Sequence, residues 1–140
     1  MTDSSRIVDF HVHPIPTLIS VEDLLEDMDS AGVDQAVLLA LDVDPKALDQ
    51  KWMKDHMLRC LARLFVVDAS NVIKQIQNLL QAVKTDQSWV AKLVKSYPNR
   101  FVGFGSVNPA KDDEYIEKKL LEINRLELYG IKLIPTLQFF

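Results

Sequence analysis

Ile7-Val8-Asp9-Phe10-His11-Val12-His13-Pro14 is the stretch on which the reading of this chain turns. Its first six residues are rich in β-formers, and the run ends at His13-Pro14, so a short strand over Ile7–Val12 is expected. His11 and His13 stand two residues apart at the strand's end, which projects both rings to one face. Imidazoles placed side by side can each turn a ring nitrogen toward a single cation, and zinc and related metals commonly take such ligands. Such pairs also arise by chance as loop histidines, but a position directly after a strand favours the metal reading. Asp9 should share that face one step deeper. There it would steady a ligand histidine's second nitrogen or play a purely structural part, without touching the metal.

Downstream, Ser20 has the character of an N-cap, with Asp23 three residues on. Val21, Leu24, Leu25 and Met28 follow at helical spacing, and Gly32 stands where a left-handed C-terminal residue belongs. The nearly continuous apolar run Val33 to Leu41 suits a strand buried on both faces. Pro45 opens a helix to about Leu64 that carries Trp52, Met53, Met57, Cys60 and Leu61. Ser70 is expected to cap another helix, with Val72, Ile76, Leu79, Leu80 and Val83 on its apolar face. A shorter helix spans Trp89 to Tyr97 and stops before Pro98. Arg100 to Val107 returns to strand character. Asp112 or Asp113 starts a helix with Ile116, Leu120 and Ile123 on one face. Gly130 then leads into a fourth strand, Ile131 to Ile134, before Pro135.

The order strand, helix, strand, helices, strand, helix, strand argues a parallel sheet with right-handed crossovers. The expectation is an α/β fold, about four βα units forming the first half of a TIM-type (β/α)8 barrel. Residues 1–140 would form one domain with a helical insertion over about 45–97, which packs against the barrel's outside or caps a site. The last strand has no covering helix, and Leu137, Phe139 and Phe140 make a poor solvent-facing tail. A fragment, or a chain that needs a partner to finish its core, is therefore expected.

Composition sets further bounds. With 48% hydrophobic residues and a formal net charge of -4, the 140 residues can build a core but offer no basic surface for nucleic acid or anionic lipid. The start is too short and too polar for a signal peptide or membrane span, so a cytoplasmic protein is expected. Cys60, the single cysteine, excludes an intrachain disulfide and reads as a small helix filler. His56 reads as a solvated surface histidine, Arg100 as one half of a salt bridge at the barrel's bottom, and Asp42 and Asp44 as capping or turn residues.

Three stretches together resemble a known family. Ile7 to Pro14 is similar to the first strand of the amidohydrolase superfamily, whose His-X-His pair binds metal. Tyr97-Pro98-Asn99-Arg100-Phe101-Val102-Gly103-Phe104-Gly105-Ser106-Val107-Asn108-Pro109 resembles the third-strand region of the amidohydrolase-related branch that includes aminocarboxymuconate-semialdehyde decarboxylase. Gly130-Ile131-Lys132-Leu133-Ile134-Pro135-Thr136-Leu137-Gln138 is similar to that branch's fourth strand. The resemblance implies a distorted barrel with one divalent metal, usually zinc, that activates water for hydrolysis. Further ligands, a histidine after the fifth strand and an aspartate after the eighth, would lie outside these 140 residues, so the chain alone should be inactive.

Lys132 is the next candidate, as a buried ion pair or a contact to a substrate carboxylate in preference to a metal-bridging carbamate. Relatives often read Lys-Leu-His-Pro where this chain has Lys132-Leu133-Ile134-Pro135, which removes a polar role from the third position. The implied activity is a metal-dependent hydrolase acting on a small carboxylated or cyclic substrate. The rivals are a non-oxidative decarboxylase (a lyase) on the same barrel, and a non-catalytic half-barrel that forms a homo-oligomer or joins the remaining half. A phosphoesterase of the polymerase-and-histidinol-phosphatase type ranks low, because Leu39-Ala40-Leu41-Asp42-Val43-Asp44 lacks its Thr-Asp-His-like signature.

Overall fold

A computed structural model describes residues 5–63 and 68–138. The chain runs through β1 (Val8–Val12), α1 (Val21–Ala31), β2 (Gln35–Leu39), a 3-10 turn (Pro45–Asp49), α2 (Lys51–Arg63) and α3 (Ala69–Val83). It continues through α4 (Gln87–Ser96), β3 (Phe101–Ser106), α5 (Asp113–Arg125), β4 (Gly130–Lys132) and α6 (Pro135–Gln138). The strands lie in the order β1-β2-β3-β4, and every neighbouring pair is parallel. The expected α/β alternation is observed. Each parallel pair needs a crossover, and helices supply all three.

Local chemistry explains why α1 begins and ends where it does. The Asp23 amide donates to Ser20 Oγ at 3.1 Å, and the Ser20 hydroxyl donates back to the Asp23 carboxylate at 2.6 Å. Glu22 and Asp23 complement the positive end of the helix dipole. Gly32 takes a left-handed conformation at φ 69°, and Val33 N–H reaches the Met28 carbonyl at 2.8 Å, which closes the helix. The buried face of α1, Leu24 and Met28, then packs with Ala36, Leu38 and Ala40, and with Val90, Leu93 and Phe101 from α4 and β3. Residues 36–40 are all buried, as a central strand requires.

A second core lies beyond the end of β2. Met53 of α2 and Ile73 and Leu80 of α3 pack with Leu41, Val43 and Leu48. The inserted segment therefore divides: α2 and α3 pack beside the strand end, while α4 joins α1 in the core cluster that β2 and β3 share. At the opposite end of the sheet Arg100 pairs with Asp29 at 2.8 Å and donates to the Val33 and Asp34 carbonyls, the structural role expected of it.

Several boundaries differ from the sequence reading. The helix expected from Pro45 is a 3-10 turn and then α2, because extended backbone at Gln50 separates them; Leu64 lies outside the described residues. The cap of α3 is Asp68, whose carboxylate accepts from Asn71 N–H at 3.0 Å, and not Ser70. Leu79 is 61% exposed, since Ile73, Ile76, Leu80 and Val83 already complete the face that meets the second core. Leu120 of α5 is also exposed. The fourth strand covers only three residues, and Pro135 starts a helix instead of ending the fold, a favourable first-turn position for a residue without an amide proton. Phe139 and Phe140 lie outside the described residues. At Gly130 an added Cβ would stand 2.5 Å from the Phe104 ring, so a larger residue there would have to displace that ring where β3 and β4 meet.

Candidate metal centre

His11 and His13 converge. Their Nε2 atoms stand 3.2 Å apart at the carboxyl end of β1, with ring planes 72° apart. This is the edge of a parallel sheet where ligands and active sites collect. His13 is half-buried, and its Nδ1 lies 3.1 Å from the Leu39 carbonyl at the end of β2. A carbonyl oxygen can only accept, so Nδ1 carries the proton and Nε2 presents a lone pair. That is how a ligand histidine is ordinarily oriented.

The spacing fits a metal. Two nitrogens bonded to one tetrahedral zinc at about 2.0–2.1 Å stand about 3.3 Å apart. Without a metal, the same spacing accommodates an N–H···N bond from His11 to His13. Burial, chiefly, lowers the pKa of His13 below the ordinary value; the Leu39 carbonyl opposes this, and the charges of His11 and Lys132 add to it. A neutral ring is the form that binds metal. Among the described residues no three His, Cys, Asp or Glu side chains gather into one metal-holding group, so the described chain offers two ligands rather than three.

Of the two parts open to Asp9, the structure shows the structural one. The pairing of β1 with β2 slips in register between Asp9 and Val12, which interrupts the alternation that would put Asp9 on the histidine face. Its carboxylate accepts from the His11 backbone amide at 2.9 Å and is exposed, so it holds the strand and not a ring nitrogen. Lys132 sits half-buried on β4, in register with Ser106 of β3. Among the described residues it has no ion pair, contrary to one expectation, though its charge acts on His13.

A second polar cluster occupies the same rim beyond β2 and β3. Asp44 caps the 3-10 turn through Lys46 N–H at 3.0 Å and pairs with Lys111. Burial works to raise its pKa, but Lys111 and the Lys46 amide outweigh it and hold the carboxyl below its usual range. Asp42 Oδ2 accepts from Asn108 N–H at 3.0 Å and from the Tyr115 hydroxyl at 2.6 Å. Burial and that carboxylate push the Tyr115 phenol well above its ordinary pKa. The two protons of the fully buried Gln138 amide are shared among Ser106 Oγ, Val107 O and Asp42 O, and its Oε1 accepts from Ile134 N–H at 2.7 Å, fastening α6 to the strand ends. Asp42, Asp44, Lys46, Lys84, Lys111 and Tyr115 line an open cleft of about 330 Å³. Asp42 and Asp44 thus hold turn and loop structure, as expected, whereas the parts of Tyr115 and Gln138 escaped the sequence reading. Their partners lie 73 and 96 residues away, beyond any local pattern.

On α2, His56 is exposed as expected and stands 3.6 Å from the Cys60 sulfur. Another long-range contact unforeseen in the sequence is that of Trp89, whose indole N–H donates to the Pro14 carbonyl at 2.9 Å.

No helix of the described residues is long and apolar enough to cross a membrane. No family model matches the chain, and no curated protein matches it. Among solved structures it is similar to an uncharacterized TIM-barrel protein from Bordetella bronchiseptica, with a TM-score of 0.58 and 17% identity. The match takes in 95% of this chain but 45% of that protein, so the chain spans less than half of its neighbour's length. The fold is that of part of a TIM barrel: four parallel strands in sequential order, with helices.

Proposed function

We propose that this chain supplies two metal ligands to a metal-dependent hydrolase of amidohydrolase type, and that His11 and His13 are those ligands. The observation that carries this reading is the 3.2 Å approach of the two Nε2 atoms at the carboxyl edge of β1, with His13 oriented by the Leu39 carbonyl. A divalent metal there, zinc foremost, would lower the pKa of a bound water and so make a nucleophile available at neutral pH. The chain's own residues hold and orient: His13 stays neutral in its half-buried seat, and Asp9 fixes the His11 backbone. Lys132, without an ion pair among the described residues, is the group suited to meet a substrate carboxylate. The remaining ligands belong to strands outside these residues. A small carboxylated or cyclic substrate is the class proposed for the completed site. Release of carbon dioxide from such a substrate, rather than hydrolysis, would assign it to the decarboxylase alternative.

Metal analysis tests the proposal directly. Titrated with zinc, the purified chain should bind it at one weak site, as two ligands predict, with the His11 and His13 imidazole signals responding, and His11→Ala and His13→Ala should each abolish that response. Wild-type imidazole signals that do not respond to zinc would defeat the reading.

The open sheet favours a second reading, a half-barrel that assembles. Among the described residues β1 and β4 are each paired along one side only, and Phe10 at 74% and Tyr129 at 83% are exposed beside them. Sedimentation mass decides: a dimer, or a stable complex with the other barrel half, supports assembly. A monomer that binds no hydrophobic dye counts against it.

A further inference from the structure

We infer that Trp89 is a positioning residue for the histidine pair, acting through the backbone that leaves His13; this rests on the metal-site reading above. Pro14 follows His13 directly, and proline offers no amide proton to hold the turn. The turn is instead closed from two sides. Ile15 N–H donates to the His13 carbonyl at 2.9 Å, and Trp89 N–H donates to the Pro14 carbonyl at 2.9 Å. Pro14 is buried beneath this clamp.

Trp89 itself is anchored. It stands on α4, whose Val90 and Leu93 belong to the first core cluster, and its ring packs against that cluster. α4 in turn lies on β3, where Val90 and Val94 meet Gly103. The indole therefore transmits the position of a rigid helix–sheet unit to the peptide next to His13. A second tether, from Thr17 Oγ1 to the Ala82 carbonyl at 3.3 Å, holds the far part of the same loop on α3. His13 is then located by two fixed references, the Leu39 carbonyl for its ring and the Trp89 indole for its backbone. Removing either should let Nε2 wander from its 3.2 Å spacing to His11. Partners that orient a metal ligand are worth about 10–100-fold in metal affinity.

A partly buried indole N–H commonly finds an acceptor whatever its purpose, so a purely structural bond is the competing account. Trp89→Phe in the full chain separates the two through readouts that loss of stability alone does not move. Imidazole nitrogen NMR spectra without metal, at pH 8, should show the His13 Nδ1–H tautomer in the wild type and a tautomer mixture in the variant. His56, far along on α2, serves as the unchanged internal reference. Zinc affinity, measured by competition with a chromophoric chelator, should fall about tenfold. Should Trp89→Phe fail to fold, replacing Trp89 by its benzothiophene isostere keeps the shape and removes only the donor.

Unaltered His13 signals in a folded variant would overturn the inference, even with a lowered melting temperature. If the wild type binds no zinc, the metal-site reading falls, while the imidazole spectra still decide whether Trp89 positions His13.

Discussion

Two parts of one rim treat their reactive groups in opposite ways. Over β2 and β3, Asp42, Asp44, Lys111, Tyr115 and Gln138 bind one another and the surrounding backbone, so their chemistry is consumed in holding loops. Over β1, His11 and His13 turn their Nε2 atoms only toward each other, a contact that a metal could replace, while the Leu39 carbonyl holds the His13 ring by its other nitrogen. Residue type alone does not separate structural from functional groups at a strand end. What separates them is whether the fold already uses their donors and acceptors.

The contrast can be broken by substitution. The largest effect is expected at the open part: His13→Ala should weaken zinc binding by more than about 100-fold, beyond what an outer partner's loss costs, while urea unfolding shifts little. Asp42→Ala should do the reverse. It strands the Asn108 amide and the Tyr115 hydroxyl, lowering stability by about 2–3 kcal/mol in urea unfolding with zinc affinity unchanged. A zinc defect in Asp42→Ala would erase the distinction between the two regions.

Smaller changes sharpen it. Ser20→Ala removes the α1 cap, on the helix that carries the first core but no site residue, and should cost about 1 kcal/mol. Thermal unfolding checks this, with metal uptake as the control. The Asp44–Lys111 pair should give the weakest signal, about 1 kcal/mol or less in so solvated a setting. Asp44 has a folded pKa below its unfolded value of 3.8, so its contribution is full above pH 3.8 and is lost as pH falls through the folded value. Urea midpoints recorded down to acid pH should decline there in the wild type, and Asp44→Asn should flatten that part of the decline.

The expectations that held were written within a few residues. Ser20, Asp23 and Gly32 announce both ends of α1 because caps act across three or four positions. His-X-His at the end of a β-rich run announces the converging rings for the same reason. Expectations failed where a distant partner decides. Nothing near Asp9 signals the slipped register with β2 that interrupts its alternation, and nothing near Leu79 shows that the second core is complete without it. Ser70 and Asp68 are both fair caps, and the choice between them depends on where α3 must begin to meet the 3-10 turn. Gln138 was unreadable as a core residue, since its burial depends on acceptors around residues 42 and 106–107.

The clamp on Pro14 also gives the chain a built-in optical reporter. Of its two tryptophans, Trp52 is 58% exposed, whereas Trp89 is partly buried and bonded to the turn that follows His13. Acrylamide should quench Trp52 first. The emission that survives would come from an indole whose hydrogen bond lies one peptide away from a candidate ligand, so its wavelength and lifetime would follow the arrival of a cation without any added label.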